Sequence, residues 1–270
     1  MTHLHLEGLS HVYPGGVRAL EGVDLEIHPT ERLALVGENG SGKTTLVRHL
    51  NGLLRPTSGR VLIDGRDAAL LRVAQLSRLI GLAFQNPDHQ IFSSTVRREV
   101  MFGARNAGLR GGVLEDAVVR SLRLVGLEQV RDDNPYDLGY SRRKLLAIAS
   151  VLAMDTQVVI LDEPTTGQDA PGVAAIERLV GGLSEAGRTV IAVSHDMRFV
   201  AETFSRVVVM QAGRIALDGP VETVFAEQSW PALAASRLEP PPAARLGASL
   251  GLGSTPTETA LLAAIGAGRS

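Results

Sequence analysis

Gly37-Glu38-Asn39-Gly40-Ser41-Gly42-Lys43-Thr44 fits the pattern G-x-x-x-x-G-K-[ST]. Glycines at these positions let the backbone curl until successive N–H groups point inward as an anion-binding nest. Thr45 then leads into a helix, whose positive end adds to the same site. Lys43 is placed to reach the β- and γ-phosphates of a nucleoside triphosphate, and the Thr44 hydroxyl to ligate Mg²⁺. A second group is Asp162-Glu163-Pro164-Thr165. Asp162 can hold Mg²⁺ directly or through water. Glu163, one residue on, points elsewhere and can act as general base on an attacking water. His195 is a third candidate, for a polar contact or a shared proton at the γ-phosphate. Gln85 is the fourth, since a side-chain amide can reach a phosphate-bound metal or a water.

Each group follows an apolar run that reads as a buried strand. These runs are Leu33-Ala34-Leu35-Val36, Leu79-Ile80-Gly81-Leu82-Ala83-Phe84, Val158-Val159-Ile160-Leu161 and Thr189-Val190-Ile191-Ala192-Val193-Ser194. Open α/β sheets bind ligands beyond the carboxyl ends of their strands, so one sheet edge would collect all four groups. Residues 93–154 are helical in pattern with no strand among them, as expected of a helical insertion. Leu4, Leu6 and residues 9–13 read as an edge strand. Val23, Leu25 and Ile27 alternate as a second strand, and Asp67 to Leu79 has helical spacing. Tyr13 precedes the Pro14-Gly15-Gly16 turn, and two readings stand for it: an aromatic that stacks on adenine, or a half-buried strand tyrosine. Val207 to Met210 and Ile215 to Leu217 flank Ala212-Gly213 as a hairpin. From Pro220 the composition shifts to Ala, Pro and Gly. Pro240-Pro241-Pro242 reads as a stiff linker, and Thr255-Pro256-Thr257-Glu258 as the cap of a last short helix with Leu261, Leu262 and Ile265.

The 270 residues suffice for one large α/β domain with an appendage. A net charge of −2 gives no basis for nucleic-acid binding through bulk electrostatics. With no cysteine, disulfides and thiolate chemistry are excluded. The first residues lack a signal-peptide pattern, and no run approaches the ~20 apolar residues of a membrane-spanning helix. Any membrane role is therefore expected to be peripheral.

Residues 37–44, Gln85, Val158 to Glu163, Gly167-Gln168-Asp169 and His195 together resemble the ATP-binding subunit of an ABC transporter, in order and spacing. The likeness covers about residues 2–220, with 221–270 as a C-terminal extension. It implies a P-loop NTPase of the ABC type: a mostly parallel sheet, an antiparallel β edge and a helical subdomain. It also implies ATP and Mg²⁺ as cofactors, with Thr44, Gln85 and Asp162 at the metal. By resemblance Tyr13 becomes the adenine-stacking aromatic, Gln85 the Q-loop glutamine, Gly167, Gln168 and Asp169 the D-loop, and His195 the switch histidine. Phe84-Gln85-Asn86-Pro87-Asp88-His89-Gln90-Ile91-Phe92 looks like the Q-loop segment of cobalt-type and energy-coupling-factor (ECF) ATPases. That subfamily implies a transmembrane transporter subunit as partner, a place on the cytoplasmic face of the membrane, and a vitamin or transition-metal ion as cargo. The rival readings are a non-transport ABC ATPase acting as an assembly factor and a small-molecule kinase. No long coiled-coil insertion or second cassette supports the first, and the helical block argues against the second.

One stretch departs from the family. Where its signature reads L-S-G-G-Q, this chain has Leu138-Gly139-Tyr140-Ser141-Arg142. In the family this segment acts on the partner's ATP. The signature serine is replaced by Gly139 and the following glycine by Tyr140. Ser141 either supplies a shifted hydroxyl or caps the helix. Arg142-Arg143-Lys144 is either an anion-binding cluster or a solvated face. These replacements favour a heterodimer with a second ABC ATPase over a homodimer.

Overall fold

The computed structural model describes residues 2–267. Strands β1 (Leu4–Val12) and β2 (Arg18–Ile27) pair antiparallel, and the chain then enters a second sheet as β3 (Arg32–Val36). The phosphate loop follows, leading into α1 (Lys43–Leu50). Strands β4 (Ser58–Ile63) and β5 (Arg66–Asp67) return to the first sheet, whose order is β2-β1-β4-β5. β1 therefore lies inside this sheet and not at its edge. Its alternation of buried Leu4, Leu6 and Leu9 with polar residues reports one buried face, and says nothing of whether its flanks are paired. The helix expected over residues 67–79 is also reduced, to a 3₁₀ turn at 68–70 and the single turn α2 (Val73–Leu76). Only Ala68 and Leu76 in those turns are buried, too little apolar area to hold a longer helix against its entropy cost.

The second sheet has the order β10-β9-β3-β8-β7-β6, from β6 (Ile80–Ala83), β7 (Val158–Asp162), β8 (Thr189–Val193), β9 (Arg206–Gln211) and β10 (Arg214–Pro220). All but the edge strand β10 run parallel. Parallel strands are covered on both faces, which explains their continuous apolar runs. Leu33, Leu35, Val158 and Ile160 face a core shared with the antiparallel sheet, while Ala34, Val36, Val159 and Leu161 face the helices.

Between β6 and β7 stand α3 (Val96–Ala107), α4 (Gly111–Leu124) and α5 (Tyr140–Leu152), and the chain makes no strand there. Thr95 caps α3 by accepting from the Arg98 N–H. α5 is buried from Lys144 to Leu152 and ties this block to the sheet. Two further helices, α6 (Ala170–Glu185) and α7 (Met197–Thr203), follow β7 and β8.

After β10 come α8 (Val221–Val224), α9 (Trp230–Ala235), α10 (Pro242–Ser249) and α11 (Glu258–Ala267). Pro242 opens α10 at a position where its missing N–H costs nothing, so the proline run starts a helix as well as joining two segments. Thr255 does not cap α11. Its hydroxyl is buried and donates to the Ala243 carbonyl, and Thr257 takes the cap by accepting from the Ala260 N–H. Arg198 pairs with Glu258 and docks α11 on α7. Among the described residues no helix is long and apolar enough to cross a membrane.

Candidate functional site

The phosphate loop takes its shape from backbone conformations that favour glycine. Gly37 (φ +149°) and Gly42 (φ +106°) pack so tightly that added Cβ atoms would lie 2.2 Å from the Met210 carbonyl oxygen and 2.5 Å from that of Ala19. The Gly213 N–H donates to Ser41 O, so the β9–β10 turn braces the loop. Lys43 folds back over the loop, donating to Gly37 O (2.7 Å), Glu38 O (2.8 Å) and Ser41 Oγ (3.3 Å). Burial pulls the Lys43 ammonium below the ordinary lysine pKa, against the opposing charges of Glu163, Asp162 and Glu38.

Tyr13, Asn39, Gly40, Gly42, Lys43, Thr44, Thr45, Gln85, Glu163 and His195 line one cavity of about 280 Å³. The parallel register therefore brings all four strand ends to one place. Tyr13 sits at its rim, with its hydroxyl 3.1 Å from Thr45 Oγ1 and its ring edge-on to His11. Gln85 is exposed at the end of β6.

Asp162, the last residue of β7, is buried, and its Oδ1 has no hydrogen-bond partner. Burial raises its pKa, with Arg48, a Thr44 hydrogen bond, Lys144 and Lys43 opposing. An unpaired buried carboxylate oxygen beside a threonine hydroxyl is costly unless a cation meets it, so Asp162 and Thr44 fit Mg²⁺. Glu163 turns away from Asp162 because its backbone is left-handed (φ +51°), held by its N–H donating to Val193 O at 2.9 Å. Burial first, and then the Asp162 charge, push its carboxyl up to about 7; Lys43, the His195 backbone N–H and Lys144 pull the other way. His195 Nε2 lies 2.8 Å from Glu163 Oε1, at an angle that makes no hydrogen bond, so the contact is an ion pair only when the ring is protonated. Burial and then Lys43 lower the His195 pKa.

Residues 138–142 stand apart from this cavity and line none of it. Gly139 caps α5 in extended backbone, and no side chain satisfies the first N–H groups of that helix. Leu138 is buried, while Tyr140 and Arg142 are exposed. Gly167 (φ +75°) leaves room for the Tyr140 ring, which an added Cβ would meet at 2.6 Å. Ser141 Oγ donates to Gln168 Oε1 at 2.7 Å, and Gln168 Nε2 to Ser141 O at 3.1 Å. Ser141 is thus neither the helix cap nor free. Asp169 caps α6 by accepting from the Gly172 N–H.

The three cations after Ser141 do not form one cluster. Only Arg142 is solvated; Arg143 pairs with Asp88 at 3.1 Å and donates to Leu138 O. Lys144 is fully buried and donates to the carbonyls of Glu163 and Thr166, and burial lowers its pKa to about 8. It fastens the head of α5 to the turn that carries Glu163. Gln90 is not among the sequence-based candidates. It accepts from the Phe84 N–H and donates to Ala147 O and Ser150 Oγ, joining the Gln85 segment to α5. The one sequence signal for Lys144 is its place in line with the apolar face of Leu145 and Ile148.

A phosphate loop, a buried acid pair and a histidine at one edge of a parallel sheet, with a helical insertion beside them, define a P-loop ATPase of the ATP-binding-cassette type. Residues 20–166 match the ABC transporter family model. The chain is 42% identical over 251 residues to energy-coupling factor transporter ATP-binding protein EcfA of Methanoculleus marisnigri, covering 93% of this chain and 90% of that one. Several other relatives at 41–43% identity are longer, and the chain spans 40–43% of their length. Among solved structures, cbiO1 from Clostridium perfringens, described as part of the ABC transporter complex cbiONQ, superposes with a TM-score of 0.76 at 39% identity, over 84% of this chain and 91% of that one. An ATP-binding cassette solved as a dimer with ADP and Pi gives a TM-score of 0.74 at 26% identity, over 80% and 98%. The chain belongs to the ABC transporter ATP-binding family, in its energy-coupling-factor branch, and is an ATPase.

Proposed function

We propose that this chain energises uptake through separate transmembrane subunits, and that it pairs head to tail with a second cassette carrying an ordinary signature. The observation that carries this reading is a separation within one chain. The cavity holding residues 37–44, Glu163 and His195 receives nothing from residues 138–142, which are fastened to Gly167 and Gln168 instead. A complete hydrolytic site then needs the signature of another chain. The dimeric cassette with ADP and Pi, and relatives more than twice the length of this chain, support pairing of cassettes.

In this reading residues 37–42 cradle the phosphates, Lys43 neutralises charge on the transferring phosphoryl group, and Tyr13 stacks on the base. Glu163 orients or deprotonates the attacking water, with His195 beside it at the γ-phosphate. Thr44 and Asp162, with Gln85, would hold Mg²⁺, which supplies charge neutralisation at the phosphate oxygens when bound. Most of the rate comes from positioning and electrostatics. Gly167 to Asp169 act as a D-loop that reports on the partner.

A transmembrane partner is supported by an exposed aromatic pair. Phe92 and Phe102 meet edge to face at 4.7 Å on the segment after Gln85 and on α3, and both rings are solvent-exposed. Such a patch on the segment that follows Gln85 suits transmission of nucleotide state to a membrane subunit, and is compatible with a peripheral position on the cytoplasmic face. The cargo, a vitamin or transition-metal ion, is then chosen by the membrane subunits.

Affinity capture of the intact chain from solubilised membranes tests this reading. Co-purification of a polytopic membrane protein and a second cassette is expected, with Glu163→Gln removing most turnover. Gly139→Ser should not reduce turnover, because Gly139 has ordinary φ and its Cβ meets open space. Recovery only in soluble assemblies would favour a nucleotide-switched assembly factor.

A further inference from the structure

Seven histidines are present, and three of them fall in the paired tripeptides His3-Leu4-His5 and Glu26-Ile27-His28. Side chains two apart on a strand share a face. In the β1–β2 register Leu4 pairs with Ile27 and His5 with Glu26, which sets His3 opposite His28. Leu4 and Ile27 are buried, so the intervening positions present His3, His5, Glu26 and His28 on the outer face of the antiparallel sheet.

The geometry points to a divalent transition-metal site made by His3, Glu26 and His28. One ligand atom from each lies within 4.8 Å of the others. His3 Nε2 is 2.9 Å from Glu26 Oε1, and the His3 and His28 rings stack with centroids 5.6 Å apart. Tetrahedral ligation at ~2.0–2.2 Å brings ligand atoms to roughly 3.4 Å from one another, a side-chain adjustment of about an ångström. The surroundings favour a cation. Asp64 accepts from the His3 backbone N–H, and Arg206, which donates to Glu26 O, is already matched by Asp218 and Glu31. Two imidazoles and a carboxylate without thiolate suit Zn²⁺, Co²⁺, Ni²⁺ or Cu²⁺ over Mg²⁺ or Ca²⁺. Water completes the shell on the exposed side, with His5, 6.4 Å from His3, as a reserve ligand.

The site joins the start of β1 to the end of β2, at the far end of the hairpin from Tyr13. A bound ion staples the two strands and stabilises the folded state by mass action, without touching the ATP cavity.

The test uses the whole chain, stripped with chelator and then given Zn²⁺ or Co²⁺ alone. Equilibrium dialysis should find an ion on the wild type whose affinity drops more than tenfold in His3→Ala and again in His28→Ala, but not in His89→Ala. Co²⁺ should give visible d–d absorption that the first two substitutions remove. Zinc should raise the Tm of the wild type and not of His3→Ala/His28→Ala, while the far-UV circular dichroism spectrum and ATP binding without added transition metal stay equal in both and certify the fold. Absence of ion binding, or binding and absorption that persist in the double variant, would overturn the proposal.

Discussion

Lowering the pH from 8 to 6 should reduce kcat/KM for ATP about tenfold. If Glu163 must be ionised to act on water, its ionised fraction sets the acid limb of the profile, and its carboxyl sits at about 7. The fraction ionised is then roughly 90% at pH 8 and about 10% at pH 6. Phosphate release at limiting ATP and saturating Mg²⁺, from pH 5.5 to 8.5, measures this limb on the assembled complex. The triphosphate ionises as well, so a second enzyme is needed to separate the two. Lys144→Met serves, because the Lys144 charge lowers the Glu163 pKa and methionine fills the same buried channel. Its limb should move to higher pH while the ionisation of the triphosphate stays put. A wild-type profile flat from pH 8 to 6, or a limb at the same pH in both enzymes, would refute the assignment of Glu163 as base.

Nucleotide-free Glu163→Gln should melt higher than the wild type at pH 8. A folded carboxyl at about 7 against 4.5 means the unfolded chain releases its proton first, so stability is lost as pH rises through that window, by at most ~3 kcal/mol. Thermal denaturation should show the gain shrinking to nothing by pH 4.5, and a constant gain at both pH values would contradict the cause. Tyr13→Ala should raise KM for ATP several-fold, ~0.5–1.5 kcal/mol, with kcat nearly kept. Tyr13→Phe, which loses only the Thr45 contact, should leave KM close to wild type. Lys144→Met should also cost about 1–3 kcal/mol of stability, read as a lower Tm, since the Glu163 and Thr166 carbonyls lose their donor.

The phosphate loop and the strand ends were legible because each rests on a local pattern. A phosphate fixes the spacing of Gly37, Gly42 and Lys43, and continuous apolar runs mark strands buried on both faces. The parallel arrangement then follows from helices alternating with strands. Local pattern fails where the partner is distant and is backbone. Lys144 looks like one more cation beside Arg142 and Arg143, yet its carbonyl partners lie 19 and 22 residues away. Gln90 is similar, bonding to Ala147 and Ser150 across the insertion. The interior place of β1 depends on β4 arriving at its free side. Around the single-turn α2 the sequence shows helical spacing, but Leu76 is the one residue of that turn that reaches the core. His3 and His28 are visible as residues, but only the register sets them opposite each other.

The ATPase rate per chain, measured for the purified chain alone over a wide concentration range and again with a second cassette bearing L-S-G-G-Q, tests the division of the site most directly. Negligible turnover alone at every concentration, and turnover restored by the partner and abolished by Glu163→Gln in this chain, is the expected result. Full turnover from this chain as a homodimer would show that residues 138–142 complete a hydrolytic site after all, and would contradict the asymmetric pairing.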